Sequence, residues 1–204
     1  MLIENNKRER FLSPAEIKRL FDAADSDQNY YAGQYIKFLL LTGVRRSEAA
    51  NAKWEDVNLV GERPTWIIPL TKSGKSRTVR LNRLAAELLH NLQRIPGHPY
   101  LFPGGNPKKP SSYAQPIQSP TKAFNRMLKR AGIKGPFCIH QLRHTHASMI
   151  INSGGSLSDV QAALGHSSSR MAERYSHYAD NRLEQTGQQI ANCVEQALRF
   201  SNQA

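Results

Sequence analysis

The sequence is poor in cysteine and in long apolar runs, and it has few acidic residues for its size. Its 204 residues include only two cysteines, Cys138 and Cys193, which excludes a disulfide-stapled scaffold and fits the reducing cytoplasm. The most apolar stretches, such as 36–41, fall far short of the roughly 20 residues that a membrane-spanning helix needs. The first ten residues, MLIENNKRER, are too charged for a secretion signal. We therefore expect a cytoplasmic protein without a membrane span.

The shortage of acidic residues leaves a strong positive charge. Sixteen aspartates and glutamates stand against 28 lysines and arginines, so the formal net charge is +12. For a globular chain of this length, such an excess favours a polyanionic partner, and nucleic acid is the commonest one. Charge alone does not identify the partner, because secreted and ribosomal proteins are often basic too. The length suits one domain, or one domain with an appendage.

Residues typical of helix starts and helix ends predict a mainly helical chain. Ser13, Pro14 and Glu16 form a helix start, with serine as the cap, proline at the first position and glutamate at the third. A second helix over 30–42 is apolar on nearly all sides, which favours a central place in the core. Further helices are predicted over 82–94, 121–131, 140–151 and 156–164, with a short helix leading from Ser168 to Tyr175 and an amphipathic one over 181–200.

Between the helices, alternating apolar and polar residues predict a small antiparallel sheet. Its three strands are predicted at 57–59, 65–68 and 77–81. The turn before the third strand carries Lys72 and Lys75, and Arg77 begins that strand. A basic hairpin tip suits the backbone of a nucleic acid, although solvated turns often carry lysine as well.

A long loop is predicted over 95–120. It holds seven of the eleven prolines and the pair Gly104-Gly105. Such a loop is either a flexible insert or a segment that orders on a partner.

A glycine break precedes two arginines in the segment TGVRRSE, 42–48. Gly43 is predicted to end the second helix, and a short helix restarts after Arg45. The N–H groups of a helix start and the Arg45 guanidinium could together bind a phosphate. Arg45 could equally form a salt bridge with Glu48 or Glu55, and the local pattern does not decide between these roles.

The last third of the chain concentrates histidine, arginine and tyrosine. His140 and Arg143 lie three residues apart at the start of a predicted helix, and therefore on one face. The segment Leu-Gly-His, 164–166, is followed nine residues after His166 by Tyr175. A phenol, an imidazole and a guanidinium around one point suit phosphoryl transfer with a tyrosine nucleophile. Each of these residues taken alone is more often structural.

Four separated elements together resemble the catalytic domain of the tyrosine recombinases, the phage-integrase family. They are T-G-x-R-x-S-E, a lysine in a basic hairpin, H-x-x-R-H-T, and L-G-H with a tyrosine nine residues later, and they cover about 12–180. The resemblance implies an α+β, mainly helical fold with a small three-stranded antiparallel sheet. It also implies the catalytic residues, which are Arg45, Lys72, His140, Arg143, His166 and the nucleophile Tyr175.

The family chemistry implies a role for each of these residues. The tyrosine attacks a DNA phosphodiester, forms a 3′-phosphotyrosyl bond and releases a 5′-hydroxyl, while the two arginines stabilise the charge on the phosphate. Lys72 protonates the leaving oxygen, His140 helps to remove the phenol proton, and His166 hydrogen-bonds the phosphate. Lys75 is the alternative to Lys72, and Tyr178 is the alternative to Tyr175. The reaction needs neither a metal ion nor a nucleotide cofactor, and Arg46, Lys75 and Arg77 are expected to bind DNA.

The resemblance also implies an organisation and partners. Residues 1–12 are expected to be a flexible segment, 13–180 the catalytic domain, and 181–204 a C-terminal helix that docks on its own core or on a neighbouring protomer. We expect the N-terminal DNA-binding domain usual in the family to be absent from this sequence, as in a single-domain member or part of a longer protein. The expected partner is double-stranded DNA, with a tetramer forming in synapsis and a monomer in free solution.

Other functional classes fit parts of the sequence. A metal-dependent nuclease could use His140, His144, His146 and Cys138, but no acidic residue in this run completes a site. A non-catalytic DNA-binding module would not capture DNA covalently. A type IB topoisomerase shares the chemistry and differs in outcome. The small size and the L-G-H pattern favour the recombinase.

Overall fold

The fold is known from a computed structural model that describes residues 10–69, 74, 76–105, 115–118 and 120–165. The predicted segments 1–9, 168–175 and 181–204 lie outside these residues. The described part of the chain falls into two compact units, of which the first contains residues up to 146 together with 163–165, and the second contains 147–162.

Apart from the end of the fourth helix, the helices begin and end close to the predicted residues. In chain order they are α1 (Pro14–Asp25), α2 (Tyr30–Thr42), α3 (Arg46–Ala50), α4 (Arg83–His90), α5 (Thr121–Arg130), α6 (His140–Asn152) and α7 (Leu157–Leu164). The Ser13 hydroxyl accepts from the Glu16 N–H, and the Glu16 carboxylate accepts from the Ser13 N–H, so the predicted capping box starts α1. Among the helices that the structure describes, none is long and apolar enough to cross a membrane.

Helix α2 lies at the centre of the first unit, as its apolar sequence predicts. Nine of its thirteen residues are buried. The Phe38 ring lies 5.6 Å from Trp66 and 5.3 Å from Phe102, and the Tyr35 ring lies 5.4 Å from Phe102. These ring contacts join α2 to the sheet and to the first part of the predicted 95–120 loop.

The predicted three-stranded antiparallel sheet is confirmed. Its strands are β1 (Val57–Asn58), β2 (Thr65–Ile68) and β3 (Arg77–Arg80), in the order β1-β2-β3. Trp66 pairs with Val79, and both side chains face the core, while their neighbours Ile67 and Thr78 are exposed. The alternation that predicted the strands therefore also sets which face is buried.

The structure departs from the sequence-based prediction in 82–120. Helix α4 ends at His90 rather than near 94, because the Gln93 N–H donates to the Tyr30 hydroxyl and the Gln93 carbonyl accepts from the Tyr31 hydroxyl. The predicted loop contains a two-stranded antiparallel pair, β4 (Pro103–Gly104) and β5 (Gln115–Pro116). The sequence also did not predict the 3₁₀ turn at Trp54–Asp56.

The described part of the second unit contains the end of α6, a glycine turn and most of α7. The Gly155 N–H donates to the Ile150 carbonyl and closes the turn. Ser156 caps α7, since its hydroxyl accepts from the Asp159 N–H while the Asp159 carboxylate accepts from the Ser156 N–H. The predicted start of this helix is confirmed.

Candidate active site

Arg143, near the start of α6, joins three segments of the chain. Its side chain is buried. Nη1 donates to the main-chain oxygen of Gly43 at 2.6 Å, and Nη2 donates to that of Leu164 at 2.8 Å. One guanidinium therefore fastens the end of α2 and the end of α7 to the start of α6. These are the three segments that carry the T-G-x-R, L-G-H and H-x-x-R motifs.

Gly43 turns the chain from α2 toward Arg45. It has a φ of 63°, in the left-handed region where glycine carries no steric penalty, and its N–H donates to the Leu39 carbonyl. A Cβ at this position would lie only 2.4 Å from Cδ2 of His146. Glycine is thus required here for its backbone conformation and also for its lack of a side chain.

His146 fixes α6 against α2. Its Nδ1 lies 2.9 Å from the carbonyl oxygen of Leu40, so this nitrogen carries the proton and donates it. Burial lowers the pKa of the imidazole, and the nearby positive charge of Arg143 lowers it further, against the opposing effect of the Leu40 hydrogen bond. The sequence had suggested only a metal-ligand role for His146. Its partner lies 106 residues away, so no local pattern indicates the contact.

Arg45 pairs with Glu48, which was one of the roles left open by the sequence. Nη1 of Arg45 donates to Oε1 of Glu48 at 2.8 Å, and the Arg45 N–H donates to Oε2 at 2.8 Å. Glu55 instead pairs with Lys53. The Arg45 side chain is 33% exposed, so the ion pair holds the guanidinium in place while part of it still faces solvent. A role as phosphate ligand is compatible with this arrangement.

Glu48 also binds Arg77. Nη2 of Arg77 donates to Oε2 of Glu48 at 2.9 Å, and the glutamate side chain is only 6% exposed. Burial by itself raises the pKa of this carboxyl, but the Arg45 N–H and the charge of Arg77 lower it more, so the net pKa lies below its ordinary value. The carboxylate therefore stays ionised at neutral pH.

His140 opens α6 and is exposed. Its ring stands edge-to-face with that of His144, with 4.9 Å between the centroids. His140 and Arg143 line one cavity of about 420 Å³ together with Arg46, and Asn125 on α5 lines it too. The sequence did not point to Asn125. Arg45 lines a different cavity, of about 730 Å³, with Glu48.

Several candidates cannot be placed by the structure. The residues concerned are Lys72, Lys75, His166, Tyr175 and Tyr178, all of which lie outside the described part of the chain. Within the part that is described, no three histidine, cysteine, aspartate or glutamate side chains are grouped so that they could hold a metal ion.

Comparison with known proteins gives consistent matches. The model of the phage integrase family matches residues 10–182. The integrase of Salmonella phage P22 is 34% identical over 192 residues, which cover 91% of this chain and 48% of the relative. Tyrosine recombinase XerH of Campylobacter jejuni is 33% identical over 191 residues, which cover 89% of this chain and 52% of the relative. The chain thus spans about half the length of these curated relatives.

Solved structures show the same fold. The catalytic domain of bacteriophage HP1 integrase matches with a TM-score of 0.62 and 29% identity, over 87% of this chain and 93% of that one. The XerH site-specific recombinase, solved in a complex with its palindromic difH substrate, matches with a TM-score of 0.69 and 27% identity, over 89% of this chain and 53% of that one. The α+β, mainly helical fold expected from the sequence is confirmed.

Proposed function

The chain belongs to the phage integrase family, and on that basis we propose that it is a site-specific DNA recombinase that cleaves and rejoins DNA through a 3′-phosphotyrosyl intermediate. The observation that carries this proposal is the pair of hydrogen bonds from Arg143 to Gly43 and Leu164. These bonds hold together the segments that lead directly into Arg45 and His166. Gly43 and Leu164, which are far apart in the chain, thereby contact one guanidinium.

The proposed chemistry exchanges one phosphodiester for another. The phenol oxygen of Tyr175 attacks the phosphorus of a DNA strand, and the bond between that phosphorus and the 5′-oxygen breaks. His140 takes the phenol proton, which is needed because a phenol with a pKa of ~10 is a weak nucleophile at neutral pH. Lys72 gives a proton to the departing 5′-oxygen. A 5′-hydroxyl from another strand reverses the step. The energy of the phosphodiester bond is therefore conserved in the phosphotyrosyl bond until rejoining.

The two arginines bind the non-bridging oxygens of the same phosphate in this proposal. Arg45 and Arg143 supply planar, permanently charged forks that match phosphate geometry, and His166 adds a hydrogen bond. Charge builds up on these oxygens in the transition state, and donors already held in position stabilise it. The Glu48 ion pair and the Leu164 and Gly43 carbonyls hold the two guanidiniums in this way. No metal ion or organic cofactor takes part in any of these steps.

Double-stranded DNA is the proposed substrate. The formal net charge of +12 supports it, as does the XerH relative solved with a palindromic DNA substrate. We assign phosphate-backbone contacts to Arg46, which is exposed beside the His140 cavity, and to Lys75. A DNA substrate and the scarcity of cysteine also support a cytoplasmic location.

A tetramer on two duplexes is the proposed working assembly. Exchanging four strands requires four cleavages, and each protomer offers one nucleophile. A palindromic site also matches a two-fold pair of protomers. We assign the catalytic domain to 13–180 and a docking role to 181–204, on its own core or on a neighbouring protomer, and we expect a monomer in the absence of DNA.

Covalent capture of DNA tests the proposed function. The probe is a pool of nicked duplexes with random sequence around the nick. The label lies on the 5′ side of the cleavage point, in the part of the strand that the tyrosine keeps. The short fragment between the cleavage point and the nick diffuses away, so rejoining stops. We expect the wild-type chain to form a labelled protein–DNA band on a denaturing gel in the presence of a chelator. Tyr175→Phe should form no band although it still shifts the DNA on a native gel.

The matched control is Tyr178→Phe, which should capture DNA like the wild type. A band that persists in Tyr175→Phe would contradict the assignment of the nucleophile. Cleavage that leaves no covalent band and stops in chelator would favour a metal-dependent nuclease. No capture anywhere in the random pool would favour a non-catalytic DNA-binding module. Transfer of the captured strand to a second duplex separates a recombinase from a type IB topoisomerase.

A further inference from the structure

We propose that Arg77 is a positioning residue for the reaction, and that it holds Arg45 through the shared carboxylate of Glu48. The sequence had suggested a DNA contact for Arg77. The inference rests on the proposed function, because it assigns Arg77 a part in that chemistry. It goes beyond the family resemblance, which names Arg45 and the hairpin lysine but gives Arg77 no such part.

The Glu48 carboxylate is shared between two arginines. Oε2 accepts from the Arg77 Nη2 at 2.9 Å and from the Arg45 N–H at 2.8 Å, while Oε1 accepts from the Arg45 Nη1 at 2.8 Å. Because the glutamate side chain is only 6% exposed, water cannot readily replace a lost partner. The direction in which Glu48 points, and hence the direction of Arg45, therefore depends on Arg77.

The environment of Arg77 suits an internal role. The residue begins β3 opposite Ile68 of β2, and its side chain is 17% exposed. Its Nε is buried and has no hydrogen-bond partner among the residues that the structure describes. One nitrogen of this guanidinium is thus bonded to Glu48 and another is enclosed by protein.

Arg77 also contacts the turn that leads to His166. Gly165 has a φ of 63°, and a Cβ on it would lie 2.8 Å from both Cζ and Nε of Arg77. The guanidinium therefore packs directly against the bare Cα of this glycine. Arg77 thus touches the residue before one catalytic candidate and is bonded to the carboxylate that holds another.

Loss of Arg77 should act on the reaction rate more than on DNA binding. Without it, Glu48 keeps, among the described residues, its contacts to Arg45 and can rotate toward the space left by the missing guanidinium, and Arg45 follows. Small displacements of a group that stabilises the transition state lower the rate steeply, whereas the ground-state attraction between DNA and a protein of net charge +12 changes little.

The test uses the 204-residue chain with Arg77→Lys and Arg77→Met, and Arg80→Met as the matched control. Arg80 lies on the same strand and is exposed. We expect both Arg77 variants to capture the nicked duplex pool at least about tenfold more slowly than the wild type. Arg77→Lys is decisive because it keeps the charge but loses the flat guanidinium that donates to Glu48 and packs against Gly165. Arg80→Met should capture DNA at the wild-type rate.

DNA affinity measured against salt separates the two roles of Arg77. A residue that neutralises one phosphate contributes about one unit to the slope of log K against log salt, so a positioning role leaves the slope of Arg77→Met at the wild-type value. In addition, Glu48→Gln and the double variant Glu48→Gln/Arg77→Met should be slowed to the same extent, because both changes break one linkage.

Three results would overturn the inference while wild-type capture stands. They are a normal capture rate in Arg77→Lys, a lower salt slope in Arg77→Met, and rate losses that multiply in the double variant. Wild-type protein that captures nothing would instead overturn the proposed function, and the inference with it. Circular dichroism and thermal unfolding of each variant confirm that rates are compared between folded proteins.

Discussion

Arg143 donates a hydrogen bond from Nη1 to the main-chain oxygen of Gly43 across 100 residues of sequence, at 2.6 Å. The same side chain binds the Leu164 carbonyl through Nη2. Arg143, a candidate catalytic residue, therefore also stabilises the fold by joining these segments. The carbonyls that it holds immediately precede the turns toward Arg45 and His166. The stability of the fold and the geometry of the site thus depend on one buried guanidinium.

Arg143→Lys should destabilise the protein. A lysine cannot reach two diverging carbonyls with a planar fork, so at least one buried oxygen loses its partner, at a cost of about 2–4 kcal/mol. The free energy of unfolding, measured in urea by circular dichroism, checks this value. The control is Arg83→Lys, whose side chain is 77% exposed and pairs with Glu87 on the surface, and it should change stability by less than about 0.5 kcal/mol. Equal effects at the two sites would contradict the fastening role of Arg143.

Gly43→Ala should destabilise the protein more than Gly132→Ala. Both glycines have a φ of 63°, but a Cβ at Gly132 would meet nothing within 4 Å, whereas one at Gly43 would lie 2.4 Å from His146. The loss of stability in Gly132→Ala therefore measures the backbone penalty alone, of about 1–2 kcal/mol. The additional loss in Gly43→Ala measures the steric clash between the new Cβ and His146. In a His146→Ala background most of that excess should disappear. An excess that persists there would mean that the collision is not with His146.

The stability contributed by Glu48 should disappear in acid. The pKa of its carboxyl lies below the ordinary value of 4.5, because the Arg45 N–H and Arg77 outweigh the effect of burial. The folded protein therefore binds this proton less tightly than the unfolded chain does. The contribution is complete above the ordinary pKa and is lost as the pH falls through the lower, folded-state value.

Unfolding free energies of wild type and Glu48→Gln, measured from neutral to acid pH, test this dependence. The gap between the two should be widest above pH 4.5 and should narrow below it. Glu87→Gln, at a half-exposed surface pair, is the control and should change stability little. A stability difference between wild type and Glu48→Gln that widens toward acid pH would contradict a lowered pKa for Glu48.

His146 should make the fold sensitive to mildly acidic pH. Burial lowers the pKa of its imidazole below the ordinary 6.5, so the unfolded chain takes up this proton first and stability declines as the pH falls below 6.5. His146→Asn keeps an N–H donor near the Leu40 carbonyl but cannot titrate. Its stability should therefore vary less between neutral and mildly acid pH than that of the wild type. Two parallel stability curves would contradict this prediction.

Local patterns predict the helices and the sheet well because their signals are short-range. The capping residues of α1, the apolar α2 ending at Gly43 and the alternation of β2 and β3 are all readable within a few positions. The site motifs were readable too, since their spacing resembles a known family. Glu48 could be named as a partner of Arg45 because the two are three residues apart.

Contacts between distant segments could not be predicted from the sequence. Arg143 binds Gly43, and His146 binds Leu40, over sequence separations of 100 and 106 residues. Helix α4 stops early because tyrosine hydroxyls from α2 bond the main chain of Gln93. In each case the partner lies far away in the sequence, so the helix and turn propensities of the neighbouring residues do not indicate it.

The most direct test of the central claim is to locate the DNA attachment point by mass spectrometry. The covalent complex formed with the nicked duplex pool is digested with nuclease and trypsin, which cleaves after Arg174 and Arg182 and leaves the peptide YSHYADNR. Fragmentation then assigns the nucleotide remnant to one residue. The account predicts a 3′-phosphate-linked remnant on Tyr175. A remnant on Tyr178, or on any residue outside this peptide, would contradict it.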